Sequence, residues 1–203
     1  MKIAIEIGAS RTTFTFQPDD LDAIPYVDKV WFEGATGISP GNLALMGYLM
    51  ARQSTANVLS FVNVEVPAHL AARMIDDFPA HELFVSPITN QPERIAARTR
   101  HEILWLDRSD VAGPWLQRHD LGYRVMLGDV VLKDIHTNID LHATFLPEQT
   151  RLSELVVYLA LHHELGIRSA GIAPSPNDDL CSSARLAPLL REVASDLICR
   201  ATS

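Results

Sequence analysis

Hydrophobic and polar positions alternate from the start of the chain. In KIAIEIG at 2–8, Ile3, Ile5 and Ile7 fall on one face and Ala4 and Glu6 on the other, the period of two that a β-strand requires. Pro18-Asp19-Asp20 opens a candidate short helix through Tyr26, and DKVWFEG at 28–34 reads as a second strand. Ser39 and Pro40 then supply an N-cap and a first-turn proline for a helix to about Gln53. NVLSFVNVEV at 57–66 is a third strand, PAHLAARMIDD at 67–77 a proline-started helix, and ELFVSPI at 82–88 a fourth strand.

Farther along, PERIAARTR at 92–100 reads as helical, EILWLD at 102–107 as a strand, GPWLQRHDL at 113–121 as a short helix and YRVMLGDVVLKD at 123–134 as a strand. NIDLHATFL at 138–146 alternates like a strand, and Thr150 to Glu164 is an apolar-rich helix stopped by Gly166. SAGIA at 169–173 is the last short strand. Leu186, Leu189, Leu190, Val193, Ala194, Leu197 and Ile198 follow at the spacing of an amphipathic helix.

Strands and helices joined by short connections call for the α/β class, a parallel sheet covered by helices. About eight strand segments in 203 residues fit a small (β/α)8-like barrel forming a single domain over 1–203, with an open doubly wound sheet as the alternative. The stretch 123–146 fits the barrel least, because its two strands are separated only by Ile135 to Thr137, a hairpin spacing. No repeat of fixed period, low-complexity tract or linker divides the chain.

One local motif carries a likeness. IAIEIGASRTTFTF at 3–16 is a strand with an acidic residue, then Gly, a small polar turn and a second strand. It resembles the first phosphate-binding hairpin of the sugar kinase and actin superfamily, with Glu6 where that family usually has Asp. The likeness covers these 14 residues, and no second phosphate or adenosine motif accompanies it. It implies that Thr12 to Phe16 form a strand paired with the first, which would remove the first unit of the barrel.

Charge and composition narrow the function. Lys and Arg number 17 against 25 Asp and Glu, a net charge of −8, which argues against affinity built on neutralising nucleic-acid phosphates or anionic lipid. The only cysteines, Cys181 and Cys199, form no CxxC pair, so neither a disulfide framework nor a thiolate zinc site is encoded. The longest apolar run, Leu155 to Leu161, is far short of the roughly 20 residues that cross a bilayer. The N-terminal strand carries Glu6 and has no basic region before an apolar stretch, so no secretory signal is read and a cytoplasmic protein is expected. Helix 41–53 is apolar around much of its circumference, which means deep burial or a subunit contact and makes a homo-oligomer the expectation.

In α/β folds, binding residues collect at the carboxyl ends of strands. The candidates there are Glu6, Glu33, Asn63 with Glu65, Ser86, Asp107 and the segment from Asp134 to Thr144. Acidic groups late in apolar strands are costly to bury unless they pair, bind metal or reach water. Glu6, Asp107 and Glu33 are therefore the candidate acid/base residues, with a solvated strand end as the plainer alternative. In DIHTNIDLHATF, extended geometry would align Asp134, His136, Asn138, Asp140, His142 and Thr144 on one face. Asp140, His142, His136 and Asp134 could then hold a divalent ion such as zinc, manganese or magnesium, and a polar solvated face is the alternative. The loop Glu33 to Ser39 leads into a helix and could hold an anion. His162-His163 reads as a helix-end cap, and His69, His81, His101 and His119 as structural. The expected activity is metal-dependent proton transfer or hydrolysis on a small molecule: an isomerase, lyase or hydrolase. The alternatives are a metal-free acid/base enzyme and a non-catalytic binding or assembly protein.

Overall fold

A computed structural model describes residues 1–25, 27–78, 82–91, 100–106, 112–143, 150–172 and 186–199. The first half opens with strands β1 (Lys2–Ile7), β2 (Arg11–Gln17) and β3 (Lys29–Glu33), an antiparallel meander in which Ile5 lies opposite Phe14 and Phe14 opposite Val30. Helix α1 (Pro40–Ala51) leads to β4 (Val58–Val62), which is parallel to β1. Short β5 (Val66–Pro67) and helix α2 (Ala68–Asp77) lead to β6 (Phe84–Ser86), parallel to β4, and β7 (Ile88–Thr89) pairs with β5.

The second half begins with β8 (Arg100–Leu106). A second meander follows, of β9 (Trp115–His119), β10 (Gly122–Leu127) and β11 (Val130–Thr137). Then come α3 (Ile139–Ala143), α4 (Thr150–Leu165), β12 (Ile167–Ile172), α5 (Leu186–Glu192) and β13 (Asp196–Cys199), with β8, β12 and β13 mutually parallel. Meander, helix, parallel strand, helix, parallel strand thus occurs twice. The two runs join edge to edge through β3 and β11 in one sheet of 11 strands, ordered β13-β12-β8-β9-β10-β11-β3-β2-β1-β4-β6.

This corrects the barrel expectation, because the sheet is open, mixed and bounded by β13 and β6. A (β/α)8 repeat needs a crossover after every strand, whereas residues 8–10, 120–121 and 128–129 turn the chain directly into antiparallel neighbours. The doubly wound alternative fails as well. Ile3, Ile5, Phe14, Phe16, Val30, Phe32, Leu59 and Phe61 are buried while their alternates Ala4, Thr13, Thr15, Trp31 and Ser60 are only half-buried, the signature of a sheet with one covered face. Helices α1, α2, α4 and α5 pack pairwise in that single covering layer. Among the described residues the other face carries no helix.

The apolar girth of α1 is met inside the chain. Gly41 through Ala51 are all buried, because Gly47 faces Phe61 of β4 and Ile3 of β1 while the helix also packs on α4, α2 and β5. At Gly47 a Cβ would come within 2.9 Å of the Phe61 ring, so glycine lets the helix sit down on the sheet. Helix α4 answers it, with Leu152 through His162 buried. His162 is part of this junction and not a helix-end cap: its ring stacks on Tyr158 at 5.0 Å and is bracketed by the Asn42 amide at 2.6 Å and Ser195 Oγ at 3.2 Å. As expected, Ser39 Oγ caps α1 through the Asn42 N–H, and Gly166, at φ 67°, follows the end of α4. No helix among the described residues is long and apolar enough to cross a membrane.

Five local expectations give way to tertiary structure. Residues 115–119 are strand β9 and not a helix, since Leu116 plugs the core between exposed or half-exposed neighbours. The hairpin of the second meander turns at Gly128-Asp129, at φ 57° for the glycine, so 123–134 is two strands. The predicted strand 138–146 is helix α3 as far as it is described. The last amphipathic helix stops at Glu192, and Leu197 and Ile198 belong to β13. No helix forms over described residues 18–25.

Candidate functional site

Within the sheet, the two halves are joined by two register pairs, His136 with Glu33 and Thr137 with Phe32. Beyond them β11 bends away into α3, and the edge of β3 would be left unpaired. Asn138 fills the gap: its Oδ1 accepts from the Trp31 N–H at 2.9 Å and its Nδ2 donates to the Lys29 carbonyl at 2.9 Å. A side-chain amide thus replaces a missing strand neighbour, and the divergence opens a groove of about 840 Å3 along the seam. Its sides are Trp31 on β3, the β9–β10 turn and the start of α3.

The open face of the sheet lines this groove with one continuous row. Pairing puts His119 opposite Gly122, Gly122 opposite His136, His136 opposite Glu33 and Glu33 opposite Arg11. Gly122 has no side chain between the two imidazoles, and their rings meet edge to face at 6.1 Å between centroids. No other residue fits there: a Cβ would run into the Ile135 carbonyl oxygen, and φ is 146°.

Around the row, most charges are matched. Glu33 accepts from the Arg11 guanidinium at 2.8 Å, and Arg11 also lies 4.7 Å over the Trp31 ring. The hydrogen bond and charge of Arg11, with a smaller contribution from His136, hold the Glu33 carboxyl below the ordinary carboxylate range. Asp134 receives His119 Nε2 at 3.0 Å and lies 3.5 Å from Arg124. The Leu121 N–H points at His119 Nδ1 from 3.4 Å, which assigns the His119 proton to Nε2. Asp140, on α3, binds Arg118 at 2.8 Å and the Tyr123 hydroxyl at 2.5 Å. Burial, reinforced by the Asp140 hydrogen bond and the nearby Asp140 and Glu154 charges, raises the Tyr123 pKa far above that of a free phenol. Tyr123 is therefore a permanent donor to Asp140. His136 is different: it is exposed and makes no hydrogen bond or ion pair among the described residues.

Of the sequence candidates, Glu33, His136 and Asp140 line this groove, and Asp134 orients His119 at its edge. Asp134 and His136 share a strand face as expected, but Asp140 does not join them, because β11 ends at Thr137 and Asp140 arrives on a helix. The His142 side chain, Thr144 and Asp107 lie outside the described residues. Glu6 is on the open face opposite Thr13, away from the groove. Ser86 lies at the far edge strand, β6. Asn63 and Glu65 line a second cavity, of about 620 Å3, with the loop before α1. That loop is poorly suited to an anion: Pro40 has no N–H, the Asn42 N–H is taken by Ser39, and Glu65 faces the same space. Among the described residues no three of His, Cys, Asp and Glu are arranged to hold a metal ion.

Sequence reasoning missed His119, Arg118, Trp31 and Gly122. The legible signal was in WLQRHDLGYRV, where strand parity joins Trp115, Gln117 and His119, and a two-residue turn ending in Gly122 would have returned the chain beside them. No protein-family model, curated protein or solved structure matches this chain.

Proposed function

We propose that the seam groove is the working site of a metal-independent enzyme that moves a proton on a small molecule, with His136 as the group that gives and takes it. The observation carrying this reading is the contrast in and around the row: His119, Glu33, Asp134 and Asp140 are each committed to a partner, while His136 projects its ring into the groove uncommitted among the described residues. Imidazole is the side chain best suited to transfer protons near neutral pH. Glu33, held ionised by Arg11, sits across the β11–β3 seam where it favours the protonated ring after transfer. A metal at these positions would first have to displace Arg11, Arg118 or His119 from the carboxylates, which is why the metal-free reading is preferred over the metal-assisted one. A cytoplasmic, small-molecule role is part of the same proposal.

The test is a turnover screen over small metabolites, with and without EDTA. Activity should persist in chelator and fall by about 100-fold or more in His136→Gln, while His69→Gln, on the exposed surface of α2, keeps full activity. Turnover abolished by chelator and restored by one divalent ion would support the metal-assisted reading instead.

A further inference from the structure

Resting on the reading of the seam groove as a small-molecule site, we infer that its ligand is a small amphipathic cation: an organic ammonium or guanidinium carrying a flat apolar body. Fixed charge comes first. The lining holds three carboxylates, Glu33, Asp120 and Asp140, against one guanidinium, Arg118. Arg118 is spent on Asp140 at 2.8 Å, and Arg11, just outside, is spent on Glu33 at 2.8 Å. The cavity lining therefore offers an incoming anion no uncommitted fixed positive charge. A cation meets Asp120, which is exposed in the β9–β10 turn and makes no ion pair or hydrogen bond among them. The whole chain, at −8, attracts the same sign of charge.

The apolar half of the ligand is set by what the groove leaves uncovered. Leu121, beside Asp120 in the turn, is 67% exposed, and Leu141, on α3, is 58% exposed. Both border the same cavity as Trp31. A flat hydrocarbon body laid against Trp31 would cover the two leucines and bring its charged end beneath Asp120. Apolar contact then supplies most of the affinity and the carboxylate sets the sign, since an exposed ion pair alone contributes little. The indole adds to this, because an aromatic face favours a nearby cation over an anion.

Calorimetric titration with 2-phenylethylammonium, phenylacetate and 2-phenylethanol tests this directly, since the three share a body and differ in charge. Binding should be tightest for the ammonium, about threefold weaker for the alcohol and weaker again for phenylacetate. Asp120→Asn, at an exposed turn position, should erase most of the difference between ammonium and alcohol. Trp31→Leu, which keeps an apolar side chain, should weaken all three. The inference is overturned if phenylacetate binds as tightly as the ammonium, or if Asp120→Asn leaves the ranking unchanged. His136→Gln separates it from the catalytic proposal: unaltered ammonium binding with turnover lost upholds both, whereas unaltered binding with turnover intact sinks only the role of His136.

Discussion

In the half before residue 90, β1 sits between β2 and β4, pairing with the first over six residues and with the second over three. In the half after residue 100, the corresponding place is split between β8 and β9, which among the described residues pair through Trp105–Trp115 and Leu106–Leu116. Strand β9 therefore runs past β8 and carries Gln117, Arg118 and His119 outward to the seam. The open face differs accordingly. On β1 and the part of β2 facing it, the open face bears Ala4, Glu6, Thr13 and Thr15, with Arg11, Trp31 and Glu33 toward the seam; on the second meander it bears His119, Arg124, Asp134 and His136. One frame is used twice, and the concentration of chemistry follows the departure from it. The second half supplies imidazoles, and the first supplies Glu33, Arg11 and Trp31 to hold and flank them.

The sharpest way to break this contrast is at the glycine between the imidazoles. Gly122→Ala forces a Cβ against the Ile135 carbonyl and a side chain into φ 146°. Strain and overpacking together should cost about 3 to 5 kcal/mol, measurable in urea, and the His119 and His136 resonances should lose their mutual ring-current shifts. Unchanged shifts would mean that the imidazole pair does not depend on the missing side chain. Next in size are Leu45→Ala in α1 and Leu159→Ala in α4, both wholly buried. If the halves share one core across the α1–α4 contact, each should cost about 2 to 5 kcal/mol while unfolding stays a single transition. Two separated transitions would show two cores.

How much of this could be read from the residues follows the range of the interactions involved. Strand β1, the capped start of α1 and the Gly166 stop were legible because alternation, a Ser-Pro pair and a glycine act within a few residues. The likeness of 3–16 to a phosphate-binding hairpin pointed to the β1–β2 pairing that forms. The barrel was a misreading of strand-then-helix order, because the order of segments does not say on which side of a strand the next one pairs. For the site, Asp134, His136 and Asp140 were grouped on one strand face, which does not form in full because β11 ends at Thr137 and Asp140 arrives on α3, while Glu33, named as a strand-end acid, does stand at the end of β3. Asn138 is where parity fails: its amide is worth more closing the edge of β3 than continuing β11, and the chain turns into α3. Arg118 and Trp31 were invisible because only the β3–β11 seam, between residues about a hundred positions apart, brings them to one groove.

Asn138→Ala tests that closure. Removing the amide leaves the Trp31 N–H and the Lys29 carbonyl without their partner, a loss of about 1 to 3 kcal/mol for a partly buried pair of groups. Amide exchange should accelerate at Trp31 while staying slow at Val125, in the middle of the second meander and fully buried. Equal acceleration at both would mean that the seam has no local stability of its own and opens only with the whole sheet.

The smallest expected effect is also the most specific to the seam. Arg11 on β2 holds its neighbour Glu33, at the seam end of β3, ionised. A carboxylate whose pKa is depressed in the folded state stabilises the fold above its unfolded pKa, and that contribution is lost as pH falls through the lower, folded value. Arg11→Met keeps the apolar stem beside Trp31 and removes the charge, so the Glu33 carboxyl should titrate at higher pH, nearer the ordinary glutamate range. Carbon-detected NMR of the Glu33 carboxyl reads this directly. Neutral-pH stability should change little, because an exposed pair is screened by water, while the loss of stability on acidification should become shallower. An unmoved Glu33 titration would mean that in solution Arg11 is engaged with Trp31 alone. The first half would then contribute to the groove only the shape of its edge, and not the charge that steadies His136.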